Sequence, residues 1–441
     1  MKWQMLTLLI LSSFVFLGCA PASSSSPEAQ QIQLPAHPDS ENGVAARALL
    51  FKNDARVSYC EILNNDSKTY SGFRDTSLEP LASLSKVITT TWAAEVLGAE
   101  YRFENEWHLK PVLGSDGQFD AYLKTNYDPI INIEKLLYFL SELHALGVKS
   151  IRQMVIDETT RVYISVLSQP HLELKSTPVT SDETKDNINL ILNSKNWATR
   201  TVRAREKLMA WAAKNNKSVI VPSTFTVEQI VIKNSGQMNV NSYPIHKVLK
   251  SAPLYKYLKN MNVNSNNYLA DALFESLGGA KAFASFQQAK LKLDRKDLII
   301  FTGSGLADHT SGQRQDNLGS CFGMLTVLSY LRQLTAKAQV NLGHILLNPT
   351  TDKNGTFETV SEYKNSVVLK TGRLFDNPAL NLTGFVATDQ GLVSFVFLGH
   401  DFTLSEARAI DKMRSDMLDH IYDNYPTTPG FQSLIEYEIF L

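Results

Sequence analysis

The chain has 441 residues, 44% of them apolar, which is enough to bury a sizeable core and to build two domains. Its formal net charge of -1 argues against a nucleic-acid partner. Nine scattered histidines and three cysteines give no cluster at metal-ligand spacing, and no Gly-rich phosphate loop occurs, so neither a metal nor another cofactor is expected.

At the start, Met1 to Phe16 carries Lys2 and then an apolar run from Met5. The run is too short to span a bilayer and fits the hydrophobic region of a secretory signal. Phe16-Leu17-Gly18-Cys19 follows and resembles the lipobox of bacterial lipoproteins, which makes Cys19 the expected lipidation site. Ala20 to Gly43, rich in Ser, Pro and Gln, has the composition of a tether. Residues 1–19 are therefore read as a signal peptide with lipobox and 20–43 as a flexible linker, which puts the protein in the periplasm on a membrane anchor. Cys60 and Cys321 can pair in an oxidising compartment. Two cysteines so far apart define no framework, and two buried thiols are the favoured reading.

Arg56–Ile62 and Thr69–Phe73 read as strands joined by Asn64-Asn65-Asp66. A helix is predicted from Ser83 to Leu97, where Val87, Ile88, Trp92 and Val96 recur at helical spacing before Gly98. Strand-like runs at Ile151–Ile156, Val162–Leu167 and Ser218–Val221 and helix-like runs at Ile133–Leu146 and Ala204–Lys214 then fill a stretch too long to be a loop. Residues 107–248 are read as an inserted accessory domain, splitting a catalytic domain formed by 44–106 and 249–441.

Farther on, Asn262 to Asn267 is a polar stretch ahead of a helix at Tyr268–Leu277. Val367-Val368-Leu369 reads as a strand running into Lys370, and Leu382–Ala387 and Leu392–Leu398 flank Thr388-Asp389-Gln390-Gly391 as a hairpin. A last helix, Thr403–Tyr422, opens on the capping box Thr403/Glu406. The fold class is α+β: one five-stranded antiparallel sheet from both chain ends, covered by helices on both faces.

The chemistry lies in three motifs in order: Ser83-Leu84-Ser85-Lys86, Ser265-Asn266-Asn267 and Lys370-Thr371-Gly372. A serine hydroxyl needs a neighbour to take its proton, and a lysine three positions on along a helix shares its face. Ser83 at a helix N-terminus also has free N–H groups and the macrodipole to favour a developing oxyanion. Ser361-Glu362-Tyr363-Lys364 repeats the first pattern, and Ser40-Glu41-Asn42 and Ser194-Lys195-Asn196 repeat the second, without that setting. Gly372 is expected to let a substrate backbone approach. S-x-x-K, S-x-N and K-T-G together form the set of penicillin-binding proteins and serine β-lactamases.

Leu81-Ala82-Ser83-Leu84-Ser85-Lys86-Val87-Ile88-Thr89, with Tyr101-Arg102-Phe103, resembles the nucleophile segment of D-alanyl-D-alanine carboxypeptidases/endopeptidases of the penicillin-binding protein 4 type. Asp128-Pro129, Ala270-Asp271, Gly303-Ser304-Gly305-Leu306 and Leu382-Thr383-Gly384-Phe385 match further segments of that family. The resemblance implies the transpeptidase fold and a serine DD-peptidase acting on D-Ala-D-Ala tails and D-Ala-diaminopimelate cross-links of peptidoglycan. It makes Ser83 the nucleophile, Lys86 its base and Ser265 a proton carrier. Asn267 would bind the substrate amide, Lys370 and Thr371 the terminal carboxylate, and the N–H groups of Ser83 and Arg373 the oxyanion. Lys370 is expected to help keep Lys86 neutral, and β-lactams are expected as covalent inhibitors.

Departures from the family are Asn266 and Thr302, each where Asp is usual, Arg373 where a small residue is usual, a shortened insert and the lipid anchor. The open cleft that a short insert leaves favours cross-links as substrates beside free tails. The competing readings are a serine β-lactamase and a non-catalytic peptidoglycan-binding lipoprotein. No group beyond the shared motifs is evident to activate water for a lactamase, and a binder has no need of Ser83, Lys86 and Lys370 together.

Overall fold

The computed structural model describes residues 54–164 and 180–441, apart from 354, 359, 435 and 438. The signal segment, Cys19, the linker 20–43, Ser40 and the last residues of the strand expected at Val162–Leu167 lie outside the described residues. Along the chain, β1 (Val57–Leu63), β2 (Ser71–Phe73) and β3 (Glu79–Pro80) lead into α1 (Ser85–Val96). A second group follows, comprising β4 (Glu104–Pro111), β5 (Gln118–Lys124), α2 (Ile133–Ala145), β6 (Ser150–Asp157), α3 (Ser181–Leu192), α4 (Thr199–Lys214), β7 (Val227–Lys233) and β8 (Ile245–Lys250). The chain returns through α5 (Leu254–Asn264), α6 (Asn267–Ser276), α7 (Gly279–Phe286), β9 (Leu298–Ile299), β10 (Leu318–Gly319) and α8 (Cys321–Lys337). It closes with β11 (Val367–Leu374), β12 (Ala379–Thr388), β13 (Gly391–His400) and α9 (Ala407–Asn424).

The main sheet has the order β11-β12-β13-β1-β2 and is antiparallel throughout, so both chain ends build it, as the sequence predicts. β12 is buried along its whole length and β13 from Val393 on, because helices cover both faces. On one face, Leu382, Phe395 and Phe397 pack with Ile410, Met417, Leu418 and Ile421 of α9. On the other, α8 lies against β1 and β13, and Cys60 and Cys321 form a disulfide with Cα atoms 6.0 Å apart. This corrects the reading of two buried thiols: packing of α8 against β1 brings together what sequence spacing leaves unrelated. The β12–β13 turn needs Gly391, whose φ is +125° and whose place for a Cβ lies 2.0 Å from Asn64 Oδ1.

Three other expectations change. α9 begins at Ala407 rather than Thr403, although Thr403 N and Oγ1 both donate to Glu406 Oε2 at 2.8 Å. Val96, taken as part of an apolar stripe, is 55% exposed. Instead α1 is buried on every side from Ser85 to Ala94, gripped by Trp92 edge-on to Phe274 and Phe283 at 5.3 and 5.5 Å. Such aromatic pairs add about 0.5–1.5 kcal/mol each beyond area burial, which outweighs the weak helix propensity of Thr89-Thr90-Thr91. Finally, Ser218–Val221 is irregular and Val162 makes an isolated bridge to Ile131, while the strand in that region is β7.

The second sheet, β7-β6-β5-β4-β8, pairs β5 with β6 and β6 with β7 in parallel and the rest antiparallel. Helices α2, α3 and α4 pack on one face of it around Trp107, Leu109, Leu123, Leu137, Ile188 and Leu208. That core is separate from the one beneath the main sheet.

Candidate active site

Ser83 lies in the 3-10 turn Ala82–Leu84 that opens α1. Ala82 sits at φ +48°, a backbone state that costs a non-glycine residue about 1 kcal/mol or more. Gly305 makes that turn possible, since a Cβ there would fall 1.8 Å from Ala82 O. Lys86, one turn on, is wholly buried. Its Nζ lies 2.9 Å from Ser83 Oγ, 2.7 Å from Asn267 Oδ1 and 2.8 Å from Ser304 O. The last two atoms only accept hydrogen bonds, so a neutral Lys86 gives them both its N–H groups and turns its lone pair on Ser83 O–H.

Ser265 lies in the left-handed region, at φ +52°, and with Asn266 it joins two helices, so the polar stretch expected ahead of a helix is the end of α5 and a two-residue corner. From that corner Ser265 Oγ reaches Ser83 Oγ at 3.0 Å. Asn266 caps α6 by accepting from Leu269 N at 2.9 Å, work an Asp does equally well. Lys370 is also fully buried, with Nζ 3.2 Å from Ser265 Oγ and 2.7 Å from Thr371 O. The polar chain therefore runs Lys370, Ser265, Ser83, Lys86.

Burial drives the Lys86 amine down to about 7, and the nearby Asp271 carboxylate opposes that fall. Asp271 is itself raised to about 6 by burial, while Lys86 and the N–H of Ser304, 2.7 Å from its Oδ1, pull it back. Withdrawal from water is the largest cause of the fall at Lys86. Repulsion acts on Lys370, which burial and Lys86 together hold well below the usual lysine range.

β11 is the edge of the main sheet. Leu369 exchanges both backbone bonds with Leu347 on the outer side. By the alternation of antiparallel pairing, Thr371 and Arg373 direct their backbone groups outward along the same edge. Gly372 serves packing rather than substrate approach, because a Cβ there would sit 2.9 Å from Leu81 O. A cleft of about 340 Å³ opens here, lined by Ser83, Ser265, Thr371, Gly372 and Arg373 with Thr356, Leu380, Ala407, Arg408, Asp411 and Arg414. Thr356 Oγ1 and Thr371 Oγ1 are 2.6 Å apart, and the Arg373 guanidinium lies 4.4 Å from the Phe375 ring centre.

The three sequence motifs thus meet in one place, and the two decoys among the described residues do not join them: Ser361 lies in an exposed 3-10 turn and Ser194 in a half-buried one. Sequence reasoning named Asp271 and Ser304 only within matching segments, without a role, and missed Thr356 and the α9 arginines. Asp271 stands four residues beyond Asn267, one helical turn, which was the available signal.

Residues 57–166 and 228–423 match the model of the D-Ala-D-Ala carboxypeptidase 3 (S13) family. The chain belongs to that family. No curated protein sequence matches it. Among solved structures, this S13 chain resembles the predatory peptidoglycan endopeptidase Bd3459 of Bdellovibrio bacteriovorus with a TM-score of 0.74 and 25% identity, over 87% of this chain and 98% of the other. Bd3459 has also been captured acylated by penicillin G, in complex with the immunity protein Bd3460. The endopeptidase Bd0816 of the same organism matches with a TM-score of 0.73 and 26% identity, over 86% and 96% of the two chains. Penicillin-binding protein 4 of Haemophilus influenzae, at 18% identity and a TM-score of 0.54 over 86% and 100%, shares the fold.

Proposed function

We propose that this protein is an S13 serine DD-peptidase that forms an acyl-enzyme on Ser83 and cleaves both D-Ala-D-Ala tails and peptidoglycan cross-links. The observation that carries the reading is the buried chain Lys370, Ser265, Ser83, Lys86, set at a sheet edge inside a cleft with three arginines. Neutral Lys86 takes the proton of Ser83 as Oγ attacks the carbonyl carbon of the penultimate D-alanine. The N–H groups of Ser83 and Arg373 receive the oxyanion. As the tetrahedral intermediate collapses, the C–N bond breaks, Ser265 hands a proton to the leaving amine and the Ser83 ester remains; water then hydrolyses that ester and returns the Ser83 hydroxyl.

Asn267 spends its Oδ1 on Lys86 and keeps its Nδ2 for the substrate amide. Thr371 and the backbone edge of β11 hold the substrate as an added strand. Lys370 points into the protein toward Ser265, so the substrate carboxylates fall to Thr371 and to Arg373, Arg408 and Arg414, partly offset by Asp411. A cross-link puts a second, charged stem on the leaving side, which suits that lining, and the neighbours Bd3459 and Bd0816 are endopeptidases.

Residues 107–248 form the accessory insert of this reading, with residues 44–106 and 249–441 the catalytic domain. The enzyme works outside the cytoplasm, where peptidoglycan is found and where a Cys60–Cys321 disulfide is at home. A lipid on Cys19 holds it to a periplasmic membrane surface, with the linker 20–43 giving it reach. Among the described residues no helix is long and apolar enough to cross a membrane.

Incubation with a mixed muropeptide digest, read by liquid chromatography, tests the reading. Both cross-linked dimers and pentapeptide monomers should decline, and neither should with Ser83→Ala. Loss of monomers with dimers untouched would restrict the enzyme to carboxypeptidase action.

A further inference from the structure

Three side chains that do not line the cleft converge on the second sheet. Along β4, Trp107 and Leu109 face the helices, so Glu106 and His108 face the opposite side. His246 on β8 lies directly across from His108 in the strand pairing. The two imidazoles stack at 4.5 Å and 12°, and Tyr122 of β5 stacks on the far side of His108 at 5.6 Å. Glu106 Oε2 is 3.6 Å from His108 Nε2 and 3.3 Å from His246 Nε2. All three ligand atoms lie within 4.8 Å of one another.

Two features mark this as more than a polar patch. His108 is 7% exposed, and its Nε2 is a buried atom with no hydrogen-bond partner, 3.6 Å from Glu106 Oε2; because the two rings lie nearly parallel, a shared ion requires the exposed His246 ring to turn out of the stack. Glu106 is also oriented from behind: Asn126 Nδ2 and Lys124 Nζ hold Oε1 at 2.8 and 3.3 Å, leaving Oε2 for the imidazoles. Ligand carboxylates are commonly fixed in this way by outer partners. Zinc bonds of about 2.0–2.1 Å place tetrahedral ligand atoms about 3.3 Å apart, close to the separations from Glu106.

We propose that Glu106, His108 and His246 bind a divalent transition metal, with zinc the best match for two imidazoles and a carboxylate. The ion clips β4 to β8 and takes no part in acyl transfer. These are the strands through which the chain enters the second sheet after α1, which carries Lys86, and leaves it before α5, which ends at Ser265. Linear spacing hides the set, because only Glu106 and His108 are sequence neighbours and His246 reaches them through strand pairing.

The test is titration of metal-stripped full-length protein with zinc sulfate by calorimetry, repeated with cobalt so that the visible spectrum reports coordination. One equivalent of zinc should bind saturably, and cobalt should give the intense bands of a four-coordinate site. His246→Gln removes an exposed ring and Glu106→Gln a carboxylate. Each should weaken zinc binding by about tenfold or more, with circular dichroism and penicillin labelling of Ser83 unchanged. Absence of saturable binding, or a His246→Gln protein that binds zinc as tightly as wild type, would overturn the site. Loss of labelling in a folded His246→Gln protein would overturn the assignment of a clip apart from the reaction.

Discussion

Asp271→Asn asks whether Lys86 is tuned as its surroundings indicate. The Asp271 carboxylate is the charge that favours Lys86 ammonium, set against burial, which favours the amine. Asn keeps an oxygen for the Ser304 N–H and removes the charge. An opposite charge at close range is worth about one pK unit or more, so Lys86 should deprotonate about one unit below its present value near 7. Because acylation needs the neutral amine, its acid limb moves to lower pH. At pH 6 about a tenth of Lys86 is neutral in wild type with Asp271 charged and about half in the variant, which gives up to about fivefold faster acylation there, reduced by the share of Asp271 already protonated. At pH 8 the two should nearly coincide. Stopped-flow acylation with a chromogenic β-lactam from pH 5 to 9 reads the profile directly. A limb that stays in place, or moves up, would refute Lys86 as the titrating base.

Further outcomes follow from the same geometry. Lys86→Arg should acylate as slowly as Lys86→Ala, because a guanidinium does not give up its proton in a protein; near-normal labelling of the arginine variant by fluorescent penicillin would contradict this. The Cys60–Cys321 bridge closes a loop of 261 residues, and the double serine variant should lose about 2–5 kcal/mol of stability in a denaturant titration. Alkylation of both thiols in unreduced, unfolded protein would show that no bridge exists. Arg373→Ala should raise KM for cross-linked dimers several-fold with less effect on kcat, and an unchanged KM would remove Arg373 from carboxylate binding. Cys19→Ala should shift the protein from the detergent phase to the aqueous phase in a partition assay, whereas unchanged partitioning would leave only a cleaved signal.

The main sheet and the three motifs were legible because each rests on local signals: alternating strands with turn residues between them, and reactive side chains at short fixed spacings. Ser83, Lys86, Ser265, Asn267 and Lys370 all converge as read. What failed depends on tertiary context. Thr89-Thr90-Thr91 and the exposed Val96 disguise a helix buried on all sides. The left-handed corner at Ser265 was hidden among asparagines that suit a loop equally well. Cys60 and Cys321, like His108 and His246, become neighbours only through strand and helix packing. The surroundings that tune Lys86 were not legible either, since its burial and the approach of Asp271 are set by packing around α1 rather than by any motif.

Penicillin G treatment followed by mass spectrometry of the intact protein and its tryptic peptides tests the central claim most directly. One stoichiometric adduct is expected, located on Ser83, stable over many minutes and absent from Ser83→Ala. An adduct on Ser361, no adduct on Ser83, or an adduct that hydrolyses within seconds as in a β-lactamase would contradict it.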